Sequence, residues 1–223
     1  IDALQLSSDF SSNNNNINQY SYLMTISSIF LQQDGFKIKW QGVDLKGGNL
    51  QSMKQDRVDI RSDWKVAQYQ FGTVDQKVFT DNHIKFDLNS LHIPSINNLA
   101  SHAQSVAEVE KALSELLSNG AHISLSTLTS QTPWGKLDAS MNFTLEQGAS
   151  FREMLDNPFT LMDYLDGNGK VALPKRLLAE PVVSEPLQIG VMTGFLVSDG
   201  SSLLFETQLE QGELMVNGKI IPL

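Results

Sequence analysis

Between Lys136 and Leu145 the chain alternates strictly. Leu137, Ala139, Met141, Phe143 and Leu145 occupy one set of positions, and Lys136, Asp138, Ser140, Asn142 and Thr144 the other. A β-strand sends successive side chains to opposite faces, so this run has one apolar and one wet face. The same period governs Ile84, Phe86 and Leu88, the series Tyr20, Tyr22, Met24 and Ile26, and Phe36, Ile38 and Trp40. Strands with one wet face belong to antiparallel sheet. Core packing is accordingly the expected place of Trp40, Trp64 and Tyr69.

Several of these runs change phase partway. Phe36, Ile38 and Trp40 are followed by Val43 and Leu45. Val58, Ile60, Trp64 and Val66 give way to Ala67, Tyr69 and Phe71, and Leu88 to Leu91 and Ile93. A slip of one residue is what a β-bulge or a sharp bend produces, so long, bending strands and a strongly curved sheet are expected. Turn chemistry stands at the Asn13–Asn16 tract, Asp34-Gly35, Gly47-Gly48 and Asp199-Gly200.

Helices are few. Ser105 and Glu108 form a capping box before the apolar stripe Val106, Val109, Leu113, Leu116 and Leu117, and Asn119-Gly120 provides a left-handed exit. Shorter helical pieces are expected near Pro158, Pro174 and Pro186, because proline suits a first helical turn. Phe159, Met162 and Leu165 would form the inner stripe of the first. The chain closes with strands at Phe195–Ser198, Ser202–Leu209, Glu213–Val216 and Ile220. Strands grouped apart from helices define an α+β class, mainly antiparallel. With 223 residues the chain can bury a core of its own, and one domain is the simplest organisation. The stretch from Ala179 to Pro186 is the best candidate boundary, and 1–147 and 148–223 are possible sub-regions.

A net charge of −9, with 16 dispersed basic residues, argues against nucleic acid as a partner. The absence of cysteine removes disulfides, thiolate metal sites and thiol nucleophiles together. Of the four histidines, His83, His92, His102 and His122, no pair has the i,i+4 spacing of a helical zinc site. Asp166-Gly167-Asn168-Gly169-Lys170 has some likeness to a calcium loop, but its twelfth position is Leu177, which cannot ligate, so a turn between helix and strand is expected. Ser150 lacks the second glycine of a nucleophile elbow and fits a helix cap, with Glu153 three residues on. Asn142-Phe143-Thr144 matches a glycosylation sequon but lies inside a regular strand. No catalytic residue, metal ligand or cofactor is therefore expected. Trp134, in the turn Thr132-Pro133-Trp134-Gly135, is the one candidate binding residue; packing over the turn is the plainer expectation.

The phrases Trp64-Lys65-Val66 to Phe71-Gly72, Asp87-Leu88-Asn89-Ser90-Leu91, Thr132-Pro133-Trp134-Gly135, Leu173-Pro174-Lys175 and Val216-Asn217-Gly218-Lys219 together resemble the YdgA family. This is a bacterial envelope family of unknown function, and the likeness runs from about Val58 to Lys219. The resemblance implies a Gram-negative envelope protein with an inner-membrane anchor and a periplasmic body, of which this chain would be the C-terminal part. The start at Ile1 fits such a fragment, any membrane contact then falling to an N-terminal anchor outside it. The family offers no catalytic or binding residue to carry over.

Two functions follow as expectations, neither enzymatic. The first is a protein-interaction or scaffold module, with self-association through sheet edges or apolar patches as one form of it. The alternative is a module that binds a lipid or another hydrophobic ligand in a groove of the curved sheet, since the helices are few for the apolar strand faces they must cover. The strand grammar also looks loosely like that of AsmA-type lipid-transport proteins of the envelope. A large open apolar patch would favour the alternative, and a fully covered sheet the first.

Overall fold

The structure is a computed structural model that describes residues 4–13, 17–52, 56–73, 75–102, 106–149 and 151–222. Twelve strands form one antiparallel sheet in which nearly every strand pairs with the next one along the chain. They are β1 (Leu4–Asn13), β2 (Ile17–Gln33), β3 (Phe36–Ser52), β4 (Arg57–Gly72), β5 (Lys77–His92), β6 (Ala121–Thr132), β7 (Gly135–Leu145) and β8 (Leu165–Pro174), then β9 (Val197–Asp199), β10 (Ser202–Glu210), β11 (Glu213–Val216) and β12 (Lys219–Ile221). The order is sequential from β1 to β8, then β10, β11 and β12, with β9 on β10, and the sheet does not close on itself. β2 and β3 have 17 residues each, and β4 and β5 have 16, well beyond the usual strand. Among the described residues four short helices accompany the sheet: α1 (Ile93–His102), α2 (Val106–Ser118), α3 (Phe151–Asp156) and α4 (Ser184–Thr193). 3-10 turns occupy Pro158–Tyr164 and Lys175–Ala179.

The phase slips of the sequence mark real defects in the ladders. Ser27, Gly42, Ala67 and Asp81 are passed over, side by side, in the pairings of β2 through β5. Gly42 and Asp81 adopt left-handed φ of 58° and 51°. A Cβ on Gly42 would come within 2.9 Å of the Ala67 Cβ, so the row needs glycine there. Asn82 pins the row: its amide donates to the Val66 carbonyl (3.0 Å) and the Phe79 carbonyl (3.2 Å), and its oxygen accepts from the Ser130 hydroxyl (2.7 Å). Asn82→Ala strips all three groups of their partner. It is expected to lower the urea midpoint by the equivalent of about 1–3 kcal/mol, with the m-value unchanged. A second defect lies at Ser90, where φ is 60° and the register shifts between Val58 and Ile60. Asp59 Oδ1 accepts the Ser90 amide at 2.8 Å, and the Arg57 guanidinium donates to the Ser90 carbonyl at 2.7 Å.

Uninterrupted β7 shows that the apolar residues on both sides of these defects share one face. Ala139 pairs with Leu128, and Leu128 with Ile84; Gly135, on the same face as Ala139, pairs with Thr132, one position from the Gln131 that meets Thr80. Phe79 and Ile84 therefore point the same way. Followed through the ladders, this face collects Tyr22, Met24, Ile26, Ile29 and Leu31 of β2, Ile38, Trp40, Val43 and Leu45 of β3, and their partners as far as Leu214 of β11.

Three expectations are corrected. Gly47-Gly48 is not a turn but lies inside β3. A Cβ on Gly47 would fall 2.6 Å from the Tyr22 ring, so the neighbouring tyrosine lies over the glycine and completes the face. The Asp166–Lys170 segment is likewise strand, paired with β7 on one side and β10 on the other, and Asp166 Oδ1 accepts the Gln211 amide at 2.9 Å. Local turn propensity loses here to two full ladders of hydrogen bonds. Ile93 does not extend its strand but begins α1, which the sequence reading missed; Pro94 in its first turn and Ser95, bonded to His92 Nδ1 at 2.7 Å, were the available signals.

Elsewhere the reading and the structure agree. Asp34-Gly35 forms a two-residue hairpin with φ of 50° and 82°. The expected helix is α2, ending at Gly120 with φ 73°. The pieces near the three prolines are the two 3-10 turns and α4, although Leu165, expected on the first piece, begins β8; the closing strands fall where expected, except that the first starts at Val197 rather than Phe195. Residues 14–16 of the asparagine tract, the Ser105 half of the capping box and the proposed cap Ser150 lie outside the described residues, as does the side chain of Phe159.

Candidate binding face

The apolar face is closed at one end of the sheet and open at the other. On the C-terminal strands it is covered: Leu203 is 0% exposed, and Leu209 and Val216 are buried. On the N-terminal strands it is open only in part: Ile26 and Val43 beside the bulge row are buried, but their neighbours towards the outer strands are not. Phe10 is 69% exposed, Leu6 68% and Trp64 39%, and Leu4, Tyr20, Leu31 and Phe36 are exposed with them. The expectation that Trp64 packs in the core is thus overturned. Its ring meets Phe86 edge-on (centroids 5.8 Å apart, planes at 82°), and its other side faces solvent.

At the hairpin end of this face the aromatic residues form a connected row. Trp40 stacks on Tyr69 (5.6 Å), Tyr69 touches Phe71 (5.3 Å) and Phe79 (5.9 Å), and Phe71 stacks on Phe79 (5.5 Å). Cross-strand pairing explains the row, since Trp40 faces Tyr69 and Tyr69 faces Phe79 in register. Trp134 ends it. Its half-buried ring meets Phe79 at 6.1 Å, Lys77 Nζ sits 5.3 Å above it, and its indole N–H donates to Glu180 Oε2 at 2.9 Å. The Thr132 hydroxyl, donating to the Gly135 carbonyl at 2.7 Å, steadies the turn that carries it.

Polar groups also stand in the open rows: the indoles of Trp40 and Trp64, the hydroxyls of Tyr20, Tyr22 and Tyr69, and Asn49, which pairs with Tyr20. Ser62 is buried at 6% exposure, and Asn82 is committed to the bulge. Aliphatic and amphipathic aromatic side chains thus dominate this surface.

The opposite face is a lattice of charge. His83 Nε2 meets Asp63 Oδ1 at 2.9 Å, Lys136 meets Asp138 at 3.1 Å, and Arg61 lies 3.9 Å from Asp87. Lys170 and Glu206 pair at 2.6 Å, which raises the Lys170 amine above its usual range, chiefly through that hydrogen bond. A hollow of about 470 Å³ opens here where Gly48 has no side chain, edged by Lys46, Arg61, Asp63, Lys85 and Asp87. Its charges already oppose one another, and solvated pairs of this kind contribute little stability. The histidines stay apart: His83 and His122 lie on this face, His122 bonded to Thr144 Oγ1 at 3.0 Å, while His92 stands before α1. The side chain of His102 is outside the described residues. Among the described residues no cluster of three His, Cys, Asp or Glu could hold a metal, and no helix is long and apolar enough to cross a membrane.

The sequence singled out Trp134 and missed the open face around Tyr20, Leu31 and Trp64. Its signal was present as alternation, but alternation tells which residues share a face and not whether anything covers it.

These features define an open antiparallel β-meander with one continuous apolar face, partly uncovered along its first strands. The chain belongs to a family of bacterial proteins of unknown function, DUF945, whose model matches residues 4–223. No curated protein and no solved structure matches it.

Proposed function

We propose that this domain holds the apolar chain of a lipid, or a similar extended hydrophobic ligand, along the open face of β2–β5, and catalyses no reaction. The observation that carries this reading is the exposure of Tyr20, Leu31, Phe36 and Trp64 on one face of a run of paired strands. Soluble domains rarely leave such a surface without an occupant. The two rows of bulges fit a curved sheet, a trough with the aromatic row at one end. A 17-residue strand is about 55 Å long, ample for an acyl chain, and each buried methylene contributes about 0.8 kcal/mol.

The length of the open run and its aliphatic and aromatic side chains favour hydrophobic-ligand binding over the scaffold role that the sequence put first. The resemblance to YdgA-type sequences supports a periplasmic setting, with an inner-membrane anchor in the whole protein, where such ligands abound.

Native mass spectrometry of protein purified from a bacterial envelope, with solvent extraction of bound material, tests the reading. A lipid at near-stoichiometric level is expected. A ligand-free mass at a defined oligomeric state would refute it and point to a protein partner.

A further inference from the structure

The open face is not uniform along its length. Of the described residues that β2–β5 turn towards it, Lys77 alone carries a charge. It pairs with Phe71, which pairs with Ile38, so it stands on the same side as the aromatic row. Its amine lies over the Trp134 ring, and Glu180 Oε2 is taken up by the Trp134 indole N–H. Among the described residues no carboxylate pairs with that amine. A cation at an apolar surface is poorly solvated, and a ring face compensates it only in part. At the far end of the same strands the face finishes in neutral amides, Asn18, Asn49 and Gln51.

We propose that Lys77 is the head-group site of this face, and that the ligand is an anionic amphiphile. The proposal rests on the reading that the face holds a hydrophobic chain, and it adds the charge and direction of that ligand. The anionic head lies against Lys77 beside Trp134, and the chain passes Phe71 and Tyr69 towards Trp64. From Phe71 to Trp64 along β4 is roughly 20 Å, room for a long acyl chain. A lysine amine is a point charge, so it selects negative charge rather than one head-group shape. The net charge of −9 repels anions in general, so a preference for an anionic ligand has to come from a local cation.

Two probes with the same chain test this: palmitoyl lysophosphatidylglycerol, which is anionic, and monopalmitoylglycerol, which is neutral. Binding of each to the full chain, below its micelle concentration, is read by tryptophan fluorescence, since Trp40, Trp64 and Trp134 all stand by the path. The unmodified protein is expected to bind the anionic probe at least about tenfold more tightly. Lys77→Gln is expected to abolish that preference and leave monopalmitoylglycerol binding unchanged, whereas Lys77→Arg keeps it. Lys37→Gln removes the same charge at the same end but from the opposite face, where Lys37 pairs with Gln32 and Gly72, and the preference is expected to survive. Inorganic phosphate is expected not to compete; displacement of the anionic probe by it would mean a free-phosphate site and overturn the proposal. Equal affinity for the two lipids, or a preference that persists in Lys77→Gln, would overturn the head-group site and leave the chain-binding reading standing. Binding of neither lipid would overturn both.

Discussion

Substituting valine for Gly167 is expected to cost more than about 3 kcal/mol and, in a domain of ordinary stability, to leave little folded protein. Gly167 pairs with Phe143 on one side and Leu209 on the other. A Cβ there would collide with the Asn142 carbonyl oxygen and stand 2.6 Å from the Phe143 ring and 2.7 Å from the Phe143 Cα. Two of those three contacts are backbone, held by a ladder, and cannot move aside. Gly169→Ala is the control. Its Cβ would meet the Thr207 Cγ2 at 3.1 Å, the end of a side chain that can yield, and its cost is expected near 1 kcal/mol. Both are read as shifts of the urea midpoint. A Gly167→Val protein with the unmodified midpoint would mean that Asp166–Lys170 is a turn after all and that β8 is wrongly registered.

The second large effect concerns the ligand. Trp64→Glu places a carboxylate on the open face, beside Phe86 and in register with Leu45 and Ile84. An acyl chain across that point would have to desolvate the charge, so occupancy by co-purifying lipid is expected to drop at least about tenfold. Leu31→Glu, 54% exposed near the hairpin end, tests the same face with less packing at stake. Lys65→Glu lies one residue away from Trp64 on the charged face and is expected to keep full occupancy. Extraction and mass spectrometry of the three variants, with circular dichroism to confirm folding, decides the matter. Loss of lipid in Lys65→Glu as well, or retention in both face variants, would place the ligand elsewhere or remove it altogether.

Much of this architecture was legible in the chain. The period-2 runs named the strands and their apolar sides, and the breaks in period at Trp40–Val43, Val66–Ala67 and Leu88–Leu91 fell on the bulge rows at Gly42, Ala67 and Ser90. Phase is a local property, carried by the spacing of side chains along one strand, and so it survives in one dimension. Asp34-Gly35 and the helix ending at Gly120 were legible for the same reason, because left-handed backbone favours those residues.

Tertiary structure decided the rest. Gly47-Gly48 and Asp166–Lys170 have the composition of turns, and they are strands because Tyr22 and Phe143 fill the space that those glycines leave and because ladders on both sides satisfy their backbone. Whether an apolar side chain is covered depends on elements distant in sequence: Leu203 and Trp64 sit in similar alternating runs, yet one is sealed and the other faces water. The sequence by itself determined which side of each strand is apolar, through the geometry of a single chain. Only the assembled sheet decided where that side stays open and which strands lie side by side, because burial and pairing are properties of neighbours.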